Sequence, residues 1–245
     1  MTNDMTKGNP LKIFIYFTIP LLIGNIFQQL YSMVDTIIVG RFVGVNALAA
    51  LGACNSLFFL VNGLVLGLTS GFAVLVAQKF GAKDEKGVKK AVASNITLTI
   101  VLTVIITIVA LLAVKPLLNM MNTPENIYED ARAYITLTYA GIITQTGYNM
   151  AAGILRALGD SKTPLYFLIV ASILNVILDL IFIINFNMGV AGAAYATNIA
   201  QGVSAVLCFI YSYKKFKILR LKKEDFKGEK EYYTTHLKIE IPMSM

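Results

Sequence analysis

Charge is scarce in this sequence. Only 14% of its 245 residues are Asp, Glu, Lys or Arg, against about 25% in an ordinary soluble protein. Cysteine and histidine are scarcer still, at two and one. Cys54 and Cys208 both fall inside apolar runs, where they read as small packing residues. A disulfide framework and a zinc site are therefore excluded. His236, alone in a polar stretch, reads as a solvated side chain. No nucleophile–base pair or metal cluster stands out, so an enzyme is not expected. The net charge is +7, yet no basic stripe alternates with aromatics, and no nucleic-acid partner is expected. The stretch from Gly153 to Pro164 is not a phosphate loop, because its Gly and Lys spacing is wrong. The first apolar segment has no small-x-small cleavage site after it, so it reads as a membrane span and not as a secretory signal.

What the chain does have is apolar length. Hydrophobic residues make up 56% of it, and the mean hydropathy is +0.68. The charges gather in clusters, with runs of about 20 apolar residues or more between them, enough to cross a hydrocarbon core of about 30 Å. Six spans follow: Ile13–Val39, Ala47–Gln78, Ala91–Val114, Ala133–Leu155, Pro164–Ile184 and Ala191–Tyr213. The expected fold is all-α, a polytopic membrane helix bundle whose first partner is the lipid bilayer. With the N-terminus inside, 18 Lys and Arg fall on the inner side and three, Arg41, Lys115 and Arg132, on the outer. That asymmetry places the N-terminus and the stretch after span six in the cytoplasm of a multi-pass protein of the cell inner (plasma) membrane. The last residues, from His236, repeat Leu-Lys-Ile and Ile-Pro from the start of span one. Transporters are often built from two related halves. The expected organisation is thus a six-span lobe over 1–213, a cytoplasmic connector over 214–235, and at 236–245 the truncated start of a second lobe. That lobe is an expected partner.

Two acidic residues stand apart from the loops and span ends, Asp35 and Asp179. An ionisable group inside a span is costly and usually faces a partner or a watery cavity. Each lies on a polar helix face: Asn25, Gln28, Ser32 and Asp35 in span one, and Ser172, Asn175 and Asp179 in span five. Thr197, Gln201 and Ser204 form a third stripe, and Asn55, Asn62 and Thr69 recur every seven residues in span two. Such stripes also serve to bond helices together. Two carboxylates in a low-dielectric bundle can hold a hard cation with help from neutral oxygens. They can equally share a proton. Both describe an ion-coupling site, and sodium and proton stay open. Pro20 breaks a hydrogen bond in span one and bends it, as a hinge or as a static kink. Ser161 or Thr163 is expected to cap the helix that begins at Pro164.

The segments Ile19-Pro-Leu-Leu-Ile-Gly-Asn25 and Tyr31-Ser-Met-Val-Asp-Thr-Ile-Ile-Val-Gly40 resemble the first helix of the multidrug and toxic compound extrusion (MATE) family. Arg156-Ala-Leu-Gly-Asp-Ser-Lys-Thr-Pro164 resembles its loop between helices four and five, and Gln78-Lys-Phe-Gly-Ala82 its loop between helices two and three. The resemblance implies one six-helix lobe of a two-lobe transporter that exports cationic or amphipathic drugs, small organic cations among them, in exchange for Na⁺ or H⁺, with no cofactor. It implies a cation site at Asp35, Asn175, Asp179 and Thr197, with no other metal. It also implies a hinge at Pro20 and a cavity lined by Gln28, Tyr31 and Asn149. The alternatives are a lipid-linked sugar flippase of the same superfamily, disfavoured because the spans carry no buried Lys or Arg, and a non-transporting membrane scaffold or remnant.

Overall fold

The computed structural model describes residues 9–226, 232 and 234–236, and among these the regular structure is helical with no strand. Helix α1 runs Pro10–Phe42. Asn9 Oδ1 accepts the Leu11 N–H at 3.0 Å, and Pro10 occupies the first turn, where its missing N–H costs nothing. Pro20 lies inside α1 and leaves the carbonyl four residues earlier without its helical donor. Gly44, at φ 121°, turns the chain into α2, Val45–Gly81. The 37 residues of α2 extend about 55 Å, so the helix tilts or projects beyond the hydrocarbon layer. Helix α3, Glu85–Met120, starts at Asp84, whose Oδ1 accepts the Gly87 N–H at 2.8 Å.

The fourth crossing departs from the single helix expected over Ala133–Leu155. It is built from two, α4 Glu125–Ala140 and α5 Ile142–Ala157, which meet at Gly141. The cause lies on another helix. A Cβ at Gly141 would overlap the Asn198 amide. Asn198 Nδ2 donates to the Leu137 carbonyl at 2.8 Å, a second donor there beside the Gly141 N–H. The remaining five crossings are single helical stretches long and apolar enough to span a membrane. With α4 and α5 together they make six, so the molecule is a multi-pass membrane protein. Helix α6, Lys162–Asp179, continues as a π turn, Leu180–Asn185, and α7 runs Gly189–Lys215.

The cap of α6 is a correction. Ser161 makes no side-chain cap bond. The preceding residue does the work: Asp160 Oδ1 accepts the Thr163 N–H at 3.1 Å, and Oδ2 accepts Thr163 Oγ1 at 2.9 Å. Asp160 Oδ2 also accepts Lys215 Nζ at 2.8 Å and Tyr211 OH at 3.2 Å, which pins the α5–α6 turn to the end of α7. Burial alone would raise the pKa of this carboxyl. The Lys215 ammonium and the Thr163 donors outweigh it and hold the group below the usual carboxylate range.

His236 is a second correction. Far from being solvated, it is 0% exposed, with a ring nitrogen 3.2 Å from the Ala91 carbonyl oxygen. Burial pushes its pKa down to about 4. The Tyr232 ring lies against Lys79 and Lys90. The stretch beyond α7 therefore folds back onto the end of the bundle that carries the α2–α3 turn. The expected second-lobe start, apart from His236, lies outside the described residues.

Three apolar clusters hold the helices together. One joins α4 to α2 and α3 around Leu57, Leu118, Ile135 and Tyr139. Another joins α5, α6 and α7 to the starts of α3 and the ends of α2, around Leu75, Leu155, Leu168 and Cys208. The smallest, Ile38, Val39, Ala47, Ile183, Val190 and Ala193, surrounds the end of α6. Outward faces remain apolar, as at Ile105, Ile108 and Leu112 of α3, the surface that lipid covers.

Candidate cation site

Helices α1, α6 and α7 converge where their polar stripes meet. Asn175 and Asp179, one turn apart on α6, face inward and are buried. Thr197 of α7 joins them to α1: its Oγ1 donates to Asp35 Oδ2 at 3.2 Å and accepts from Asn175 Nδ2 at 3.3 Å. The four residues expected to form the cation site are thus brought together. Asp179 is the last residue before the π turn. Turns of that kind are rare and recur at functional sites, where they re-aim side chains.

Charge compensation is missing. Asp179 is 0% exposed. Among the described residues neither aspartate is ion-paired with a Lys or Arg. Both Asp179 oxygens, Asp35 Oδ1 and Asn175 Oδ1 receive no hydrogen bond from a donor group. The two carboxyls act on each other electrostatically, with no cationic side chain between them among the described residues. A pair of that kind needs a proton on one of them, or a cation between them. The free oxygens, two carboxylates and one amide carbonyl with a hydroxyl alongside, are hard donors that suit an alkali cation as well as a proton. Among the described residues no group of three or more His, Cys, Asp and Glu gathers elsewhere.

The expected cavity residues divide. Tyr31, one turn before Asp35, accepts a hydrogen bond from Gln201 Nε2 at 3.1 Å. Gln28 is half-buried on the same helix. Asn149 is buried on the α5 face whose neighbours one turn away meet α2: Gln145 bonds to Asn62, and Gly153 packs near Ala73. Phe27 of α1 packs against the apolar cluster that holds Tyr148 and Met150 of α5. Pro20 is buried in α1. Tyr134 of α4 escaped the sequence reading. It packs against the small apolar cluster and lies within electrostatic range of both carboxyls. A lone Tyr in a mixed segment offers no periodic signal that would single it out.

A six-crossing bundle with one buried and one half-buried carboxyl at the meeting of three helices is one lobe of a membrane transporter. The chain belongs to the MatE family, whose model matches residues 20–181. It is 34% identical over 224 residues to the probable multidrug resistance protein YpnP of Bacillus subtilis (strain 168), a match that covers 90% of this chain and 50% of that protein. To the probable multidrug resistance protein YoeA of the same organism it is 30% identical over 252 residues, covering 100% of this chain and 54% of the relative. Its fold matches a crystal structure of MATE in the bent conformation with a TM-score of 0.89 and 31% identity, over 97% of this chain and 53% of that one. The chain spans about half the length of the curated relatives it matches.

Proposed function

We propose that this chain is the N-terminal half of a cation-coupled antiporter that exports cationic or amphipathic drugs, with Na⁺ or H⁺ as the coupling ion. The observation that carries the reading is the Asp35–Asp179 pair, two inward-facing carboxyls with no cationic side chain beside them. Such a pair cannot stay doubly ionised without compensation, so its state follows the cation that arrives. Binding at Asp35, Asn175, Asp179 and Thr197 draws α1 toward α6 and α7 and bends it at Pro20. The bend shrinks the cavity beside Gln28, Tyr31 and Asn149 and releases the drug outward.

The N-terminus and the stretch after α7 lie in the cytoplasm in this reading, and the membrane is the cell inner membrane. Residues 1–213 act as one lobe, 214–235 as connector, and 236–245 as the start of a second lobe that closes the cleft. A lipid-linked sugar flippase has less support, because no basic side chain attends the site. The test is cation-driven dye efflux from vesicles holding the native polypeptide. Asp35→Asn and Asp179→Asn each abolish it. Wild-type efflux in both variants sinks the assignment.

A further inference from the structure

Helices α6 and α7 run antiparallel, and their inner faces stay polar well beyond the cation site. Asn175 meets Thr197 near one end of the seam, and Asp160 meets Tyr211 and Lys215 at the other. The fifteen residue steps from Asp160 to Asn175, most of them in α6, span about 22 Å. On the same face of α7 as Thr197 come Gln201, Ser204, Cys208 and Ser212, at steps of three or four residues.

Two hydroxyls on this face, like Thr107 Oγ1 on α3, lack the partner that five other hydroxyls of the bundle find on their own helices. Ser94, Thr97, Thr138, Thr146 and Ser172 each donate to the carbonyl four residues earlier on their own helix. Ser204 and Ser212, both more than nine-tenths buried, make no such bond, and neither has any other partner among the described residues. Gln201 donates to Tyr31, yet its Oε1 is also unpartnered and buried. Polar groups held in a membrane interior without partners are costly and call for a role. A packing role does not require it, since a serine inside a helix ordinarily can back-bond to the carbonyl four residues earlier.

One apolar layer interrupts the file. Continuing the pairing of Asn175 with Thr197 sets Leu168 level with Ser204. Leu168 and Cys208 belong to one buried cluster with Tyr148, whose hydroxyl donates to the Pro164 carbonyl. Helix α1 backs Leu168 at Gly24, where a Cβ would lie 3.6 Å from Leu168 Cδ2. Gly24 is one turn beyond Pro20, so a bend at the proline acts on the residue that supports the layer. Apolar constrictions of this kind close by excluding water.

We propose that the α6–α7 seam is the exit route of the coupling cation, a file of oxygens at Gln201, Ser204 and Ser212 gated by Leu168. The route rests on the Asp35–Asp179 reading above. It leads from the carboxyl pair to the Asp160–Lys215 end of the bundle.

The test uses the native polypeptide in proteoliposomes loaded with ethidium as the organic cation or left without it, with ²²Na⁺ uptake in one arm and a proton-sensitive dye in the other. The arm that responds identifies the ion. Ser204→Ala combined with Ser212→Ala lowers cation flux about tenfold, a barrier raised by about 1.4 kcal/mol, while equilibrium cation binding is unchanged. Leu168→Ala raises flux by at least a similar factor and uncouples it from drug. The serine variants remove unpaired hydroxyls and so spare the fold; they decide the matter even where Leu168→Ala does not yield folded protein. Wild-type flux in the double serine variant overturns the route. So does unchanged flux in a monodisperse Leu168→Ala protein. Asp179→Asn separates the two levels. If it abolishes flux while the serine variants do not, the route fails and the carboxyl site stands. If flux survives it, the carboxyl site fails and the route with it.

Discussion

Replacing Gly141 with alanine tests how the broken fourth crossing supports the cation site. The residue has φ −82° and ψ −1°, a conformation that alanine adopts freely, so backbone strain is absent. The obstacle is the Asn198 side chain, which the new methyl would overlap. Overpacking of this kind costs about 1–3 kcal/mol. If the amide moves aside, the Leu137 carbonyl keeps the Gly141 N–H and loses its second donor, for about another 0.5–1.5 kcal/mol. Alanine returns about 1 kcal/mol through better helix propensity. The net loss is on the order of 2 kcal/mol, read as a lower unfolding midpoint of the purified protein in detergent. Because Asn198 follows Thr197 in the chain, cation affinity falls with it. The decisive assay is a double-mutant cycle. With Asn198→Ala already in place the methyl meets no amide, so Gly141→Ala then costs less than about 1 kcal/mol. Additive effects of the two substitutions would refute the wedge.

Pro20→Ala restores a helical hydrogen bond in α1 and is expected to raise the unfolding midpoint while slowing cation-driven efflux; faster efflux would contradict the hinge. Asp160→Asn removes a charge-assisted bond to Lys215 and lowers stability by about 2 kcal/mol. Because the Asp160 pKa is lowered in the folded protein, its contribution is complete above the unfolded carboxylate pKa of about 3.9. It disappears as pH falls through the lower folded value. A stability–pH series in wild type and Asp160→Asn checks the sign: the two curves converge at acid pH. Cys54 and Cys208 are both fully buried, so a maleimide labels them only after denaturation, which mass spectrometry reads directly.

Most of the helical plan was legible because membrane spans are local: length, apolarity and flanking charge suffice. The helices exceed the expected spans at several ends, since amphipathic turns continue a helix past the apolar run. What could not be read was set by distant residues. The break at Gly141 depends on Asn198, and the role of Asp160 depends on Lys215 at the end of another helix. The burial of His236 depends on the start of α3, far back in the chain. The residues of the cation site were visible as stripes at helical spacing, and Asp35 and Asp179 as carboxyls in apolar runs. That Thr197 bridges α1 and α6 is tertiary geometry. Tyr134 carried no local signal at all.

The π turn after Asp179 also gives the α6–α7 hairpin slack in its length. A residue lost from Leu180–Ile184 can be absorbed by tightening that turn into ordinary helix. Asp179 is held by the helix before it, and Thr197 by its bonds to α1 and α6. The same deletion inside either helix would swing every later side chain by about 100° around its axis and scatter the stripes. The segment is thus a buffer for length variation placed directly beside the residues least able to move, and the loop can drift in evolution while the site keeps its register.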